Sequence, residues 1–219
     1  MINIEFTPEK DGIVAGEENT FEVLLRASSD LMRPSKSSKK LPLNLALVID
    51  RSGSMQGRPL EEAKKCAAML VDRMSEVDQL SVVTYDDSVD VIVPMAKVMN
   101  KNLLKNTINS IRQGGMTALY DGWSVGAEQV AEFADNNNLS RVLLLSDGQV
   151  NRGLTDEVTI SSHCGTMAEN GVTTSTYGLG SRFNENLMTA MATAGQGQSH
   201  YGQTADDLMD PFSEEFDLM

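Results

Sequence analysis

Basic side chains are in short supply in this 219-residue chain: 18 lysines and arginines stand against 31 acidic residues, for a formal charge of −13. Nucleic acids and anionic membrane surfaces are recognised through basic patches, so neither is expected among its partners. Cysteine is almost missing. Cys66 and Cys164 are the only two, too few and too far apart for a disulfide framework, which suits a reducing compartment. Cys66 falls on an apolar helical pattern, the setting of a buried free thiol. No run of about 18 apolar residues occurs, so no transmembrane helix is expected. The stretch from Met1 to Lys10 lacks a basic n-region and an apolar h-region, so no signal peptide is expected and the location is expected to be cytoplasmic. Histidine is limited to His163 and His200.

What is present is apolar enough, at 41% hydrophobic residues, for the core of one sizeable domain with a small appendage. Ile2, Ile4 and Phe6 alternate, as do Phe21, Val23 and Leu25, predicting two short strands. A Ser- and Lys-containing stretch with Pro34 follows, up to Lys40, and reads as an exposed linker. Residues 1–40 are thus expected to form an N-terminal two-strand β extension and linker, and residues 41–219 the main domain. Two strands alone do not make a stable sheet. Either they pack on the main body, or they belong to a β-sandwich whose other strands follow residue 219 in a longer parent protein.

From Leu43 onward strands and helices alternate. The pattern predicts strands Leu43–Asp50, Leu80–Tyr85, Val89–Val93, Arg141–Ser146, Val172–Gly178 and Ser199–Gly202. Between them it predicts helices over Arg58–Met74, Asn102–Ile111, Ala118 to about Ala134, Asp156–Asn170 and Asn184–Thr193, with a last helix from Ala205. The connection Asp86-Asp87-Ser88 is too short for a crossover helix, so Val89–Val93 should pair antiparallel at a sheet edge, where Pro94 is tolerated. The rest implies an α/β fold, a doubly wound, mostly parallel sheet with helices on both faces.

Two buried strands end in carboxylates. Leu45-Ala-Leu-Val-Ile-Asp50 runs into Arg51-Ser52-Gly53-Ser54, and Leu143-Leu-Leu-Ser-Asp147 into Gly148. Between them Gly114-Gly115-Met116-Thr117 places a hydroxyl before a helix. Parallel strands carry their carboxyl ends to one side, so the three loops should meet at one edge. Asp50, Ser52, Ser54, Thr117 and Asp147 would then form a hard oxygen cluster, the donor set that suits Mg²⁺ or Mn²⁺ rather than Zn²⁺. Taken singly, each residue has a plainer role: Asp50 or Ser52 capping the helix near Arg58, Thr117 as an N-cap, Asp147 as a turn residue.

Together, the D-x-S-x-S of Asp50–Ser54, Thr117 after its glycines and Asp147 in Ser-Asp-Gly resemble the metal-ion-dependent adhesion site of von Willebrand factor A (vWA) domains, notably those of bacterial intracellular proteins. The resemblance implies a Rossmann-like vWA fold from Leu43 onward and a bound Mg²⁺, with Mn²⁺ or Ca²⁺ as alternatives. It implies that Ser52 and Ser54 coordinate directly, Thr117 directly or through water, and Asp50 and Asp147 largely through waters. It further implies a protein partner that offers an Asp or Glu to the ion, with MoxR-type AAA+ ATPases as one partner class, and a last helix able to move with the site.

Enzymatic readings fit less well. A haloacid-dehalogenase-type phosphohydrolase needs a second carboxylate two residues after the first, where Ser52 stands. No P-loop or G-x-S-x-G elbow is present. Neither histidine lies in a triad motif. The chain is therefore expected to bind rather than catalyse, the other binding reading being a regulatory or structural module that uses other faces while the ion only stabilises loops.

Overall fold

The computed structural model describes residues 2–8, 23–29, 41–135, 137–179, 184–208 and 211. Contacts divide the chain into Met1–Lys40 and Leu41–Met219. In the first unit, β1 (Ile2–Pro8) and β2 (Val23–Ser29) pair antiparallel, with Phe6 opposite Leu25 and Pro8 opposite Val23. Residues directly opposite share a face, so Ile4, Phe6, Val23 and Leu25 form one apolar face, and all four are exposed. Phe21 and the linker lie outside the described residues.

The second unit holds a six-stranded sheet in the order β5-β4-β3-β6-β7-β8. Its strands are β3 (Leu43–Asp50), β4 (Gln79–Tyr85), β5 (Val89–Lys97), β6 (Leu139–Ser146), β7 (Val172–Leu179) and β8 (Gln196–Gly202). Every pairing is parallel except β4 with β5, the antiparallel edge that the short Asp86–Ser88 connection dictates. The expected doubly wound sheet is present.

Its central strands are apolar on both faces because both faces are covered. Leu45, Leu47, Ile49, Leu143 and Leu145 form one core with residues of α1 (Arg58–Arg73) and α2 (Lys101–Asn109). Ala46, Val48, Val142 and Leu144 form the other with α3 (Leu119–Ala131), α4 (Glu157–Glu169) and α5 (Glu185–Ala194). Trp123, 2% exposed, donates from its indole to Thr174 Oγ1 at 3.1 Å and fixes α3 on the sheet. Both thiols are free and buried, and burial pushes each up to about 12.

Some boundaries differ from expectation. β5 continues past Val93 to Lys97 by slipping register opposite Leu80–Val83, and Pro94, with no N–H to give, falls in that irregular stretch. β8 starts at Gln196, ahead of Ser199, directly after α5. α3 ends at Ala131, short of Ala134. Residues 205–208 are helical, whereas Met209, Phe212, Phe216 and Met219 of the expected last helix lie outside the described residues. No described helix is long and apolar enough to cross a membrane.

Candidate metal centre

The strand order reverses between β3 and β6: the chain winds outward from β3 through β4 to β5, then crosses to β6 on the other side. Such a switch point opens a crevice at the carboxyl ends of the strands. Asp50 is the last residue of β3 and Asp147 follows β6 directly.

Asp50 is fully buried and its two oxygens are engaged. Oδ1 accepts the Ser52 N–H at 2.8 Å, while Oδ2 accepts the Ser146 hydroxyl at 2.7 Å and the Tyr85 hydroxyl at 3.2 Å. Burial raises its pKa to about 6 against these hydrogen bonds, and the nearby Asp147 pushes the same way. Burial also raises Asp147, which takes hydrogen bonds from the Ser54 hydroxyl and the Gln149 N–H. Ser52 Oγ lies 3.2 Å from Ser54 Oγ. A chain of side-chain contacts thus joins Asp50, Ser52, Ser54 and Asp147.

Thr117 arrives by backbone. Gly53 N–H donates to the Gly115 carbonyl and Gly114 N–H to the Arg51 carbonyl, both at 2.7 Å, so the two loops are stitched side by side. The approach is close enough that a Cβ on Gly114 would collide with the Asp86 carboxylate. Thr117 is 2% exposed, and its N–H donates to Asn151 Oδ1 at 2.8 Å, tying this loop to the one after Asp147. Gly148, at φ +68°, turns that third loop where a Cβ would crowd Met188 and Asn184.

The plainer capping roles are not taken up. Gly57 is the N-cap of α1 and Ala118 that of α3, neither with a side-chain cap. The hydroxyls of Ser52 and Thr117 are therefore not spent on helix ends. Among the described residues, no three His, Cys, Asp or Glu side chains cluster as metal ligands; the oxygens gathered here are hydroxyls with two carboxylates. Nor does an ion pair among those residues reach Asp50 or Asp147, since Arg51 turns outward to Asp86 at 2.9 Å and Asp90 at 2.7 Å. Two buried acids outside every ion pair of the described residues, flanked by neutral oxygen donors, fit a hard divalent cation.

Sequence reasoning passed over Tyr85, Ser146 and Asn151. Ser146 stood inside the quoted Leu-Leu-Leu-Ser-Asp run, and its buried hydroxyl at the end of an apolar strand was the available signal. Tyr85 and Asn151 gave none. His163 on α4 and His200 on β8 lie with their rings tilted against those of Tyr120 and Tyr177, at centroid distances of 5.5 and 5.1 Å.

A family model described as von Willebrand factor type A domain matches residues 44–214. The uncharacterized protein sll0103 of Synechocystis sp. is 32% identical over 182 residues, 83% of this chain and 42% of its own length. The uncharacterized protein YfbK of Escherichia coli is 30% identical over 193 residues, 87% of this chain and 34% of its own. The chain spans less than half the length of these relatives. Two solved structures share the fold, each with a TM-score of 0.68: BatB from Bacteroides thetaiotaomicron, at 18% identity over 80% of this chain and 97% of that one, and proximal thread matrix protein 1 from mussel byssus, described with a zinc-occupied MIDAS motif, at 21% identity over 82% and 48%.

Proposed function

Because this chain belongs to the von Willebrand factor type A family, we propose that it is a metal-dependent protein–protein interaction module that grips an acidic side chain of its partner. Asp50, Ser52, Ser54, Thr117 and Asp147 would hold Mg²⁺, with Mn²⁺ or Ca²⁺ as alternatives. The zinc in the MIDAS motif of the mussel protein supports a divalent ion at such a site. The observation that carries the reading is the buried pair Asp50 and Asp147, raised in pKa by burial and in none of the ion pairs among the described residues.

Ser52, Ser54 and Thr117 offer neutral oxygens, which leave an ion's charge largely uncompensated. Bound there, a divalent cation supplies the concentrated positive charge that attracts a carboxylate. Asp50, with three hydrogen bonds already accepted, serves to orient the Ser52 loop rather than as a direct ligand. The position two residues on, where a haloacid-dehalogenase-type phosphohydrolase needs its second carboxylate, is a serine already paired with Ser54. The reading is binding, not catalysis.

MoxR-type AAA+ ATPases are the partner class proposed from the resemblance, and the two free thiols support a cytoplasmic setting. Residues 41–219 form the working domain and residues 1–40 an extension. Calorimetric titration of Mg²⁺ and Mn²⁺ into the full chain tests the site: one ion per chain is expected, lost in Asp50→Ala and weakened in Thr117→Ala. Partner capture in Mg²⁺ and in EDTA tests the function, and capture that survives EDTA and both variants would assign binding to other faces.

A further inference from the structure

The two faces of the sheet differ in charge. Helices α1 and α2 carry six basic residues, Arg58, Lys64, Lys65, Arg73, Lys101 and Lys105, against three acids. Helices α3, α4 and α5 carry five acids, Asp121, Glu128, Glu157, Glu169 and Glu185, and no lysine or arginine. A solvated helix face ordinarily mixes both signs. Within this one-sign face, between α3 and α4, lies a cavity of about 260 Å³ lined by Tyr120, Trp123, Glu128, His163, Thr166 and Met167, among others. Tyr120 is the hub of its aromatic wall, 5.9 Å from the Trp123 ring and 5.5 Å from the His163 ring.

We propose that this cavity receives an arginine side chain from a basic surface of a protein partner, a contact separate from the metal centre. The volume lies below the range of roughly 300–1,000 Å³ for small-molecule pockets and suits one long side chain. Aromatic rings attract a cation through their faces, and a planar guanidinium stacks on them better than an ammonium. Glu128 is exposed at the rim and takes part in none of the ion pairs among the described residues. The one-sign face steers a basic partner toward the slot before contact. Acidity of this kind repels nucleic acid and anionic lipid, so the source of the cation is a protein.

Trp123 is the sole tryptophan of the chain and lines the cavity, so its emission reports occupancy. The full chain, in EDTA at constant ionic strength, is titrated with N-acetyl-arginine amide and with the neutral isostere N-acetyl-citrulline amide. A saturable change in emission is expected for the arginine probe in the millimolar range, with the citrulline probe at least tenfold weaker. Glu128→Lys should abolish the response and Glu128→Gln weaken it severalfold, with thermal unfolding curves unchanged. Should Glu128→Lys not fold, Glu128→Gln alone carries the comparison. Equal responses to both probes, no saturation, or an undiminished response in the Glu128 variants would overturn the proposal. EDTA keeps the metal centre out of the measurement, so the two readings stand or fall separately.

Discussion

The Ser146 hydroxyl donates to Asp50 Oδ2 at 2.7 Å, joining the ends of β6 and β3 across the point where the strand order reverses. The same oxygen atom of Ser146 accepts the Gly148 N–H at 2.9 Å. One buried serine therefore fixes both the carboxylate of the first loop and the turn that carries Asp147. Ser146→Ala should destabilise the protein by about 1–3 kcal/mol, the usual loss when a hydrogen bond to a buried charged group goes. The loss should be larger at pH 7.5, where Asp50 is ionised, than at pH 5. Urea unfolding in EDTA at the two pH values checks this, and Mg²⁺ titration of the variant should show weaker binding.

The pH dependence of the metal-free protein has a definite sign. Burial raises Asp50 from 3.8 to about 6, so between those values the folded state holds a proton that the unfolded state has released. Stability from this group therefore falls as pH rises through that window, by about 3 kcal/mol in total. Asp50→Asn should remove this component, so the stability difference between wild type and variant should change by that order between pH 4 and pH 7 in EDTA. A divalent ion acts in the opposite direction: the Mg²⁺-induced rise in melting temperature should be large at pH 7.5 and small at pH 5. A metal effect independent of pH would contradict the placement of the ion beside Asp50.

The strands that carry the site were legible because burial on both faces leaves a near-continuous apolar run, and Leu45–Ile49 and Leu143–Leu145 show it plainly. The carboxylates that end those runs stand out for the same reason. The wiring behind them was not legible. Tyr85 reaches Asp50 only because β4 pairs in register with β3, and Asn151 meets Thr117 across 34 residues of sequence. Both depend on how strands and loops are set beside one another, which local pattern does not encode. The early start of β8 was hidden for a similar reason: Gln196-Gly-Gln is polar, and only its pairing with β7 makes it a strand.

The contacts divide after Lys40, and among the described residues the six-stranded sheet and both cores are built from Leu43 onward. We therefore expect residues 41–219 to fold without residues 1–40. Urea unfolding of the truncated chain should give a cooperative transition with a midpoint near that of the full chain, and Mg²⁺ affinity should match within about twofold. Removal of the exposed apolar face of Ile4, Phe6, Val23 and Leu25 should also reduce self-association at high concentration, read by light scattering. A truncated chain that unfolds or loses metal binding would show that the first 40 residues belong to the working domain.

Glu62 on α1 accepts the Ala205 N–H at 2.8 Å, a contact 143 residues apart in sequence that caps the start of the helical segment 205–208. That hydrogen bond, assisted by one from Lys65, holds the Glu62 carboxyl below its ordinary value of 4.5 despite burial. With the folded pKa depressed, the stabilisation is fully present above about pH 4.5 and is lost as pH falls through the lower folded value. Glu62→Gln keeps the shape but trades a charged acceptor for a neutral one, and should cost about 1–2 kcal/mol at pH 7. The cost should shrink as pH falls through that lowered folded value, as the wild-type carboxyl itself takes up a proton. Hydrogen exchange localises the effect: the Ala205 amide should exchange at least tenfold faster in the variant at pH 7, with the amides of β3 and β6 unchanged. Uniform acceleration across the sheet would mean that Glu62 supports global stability rather than holding this helix start.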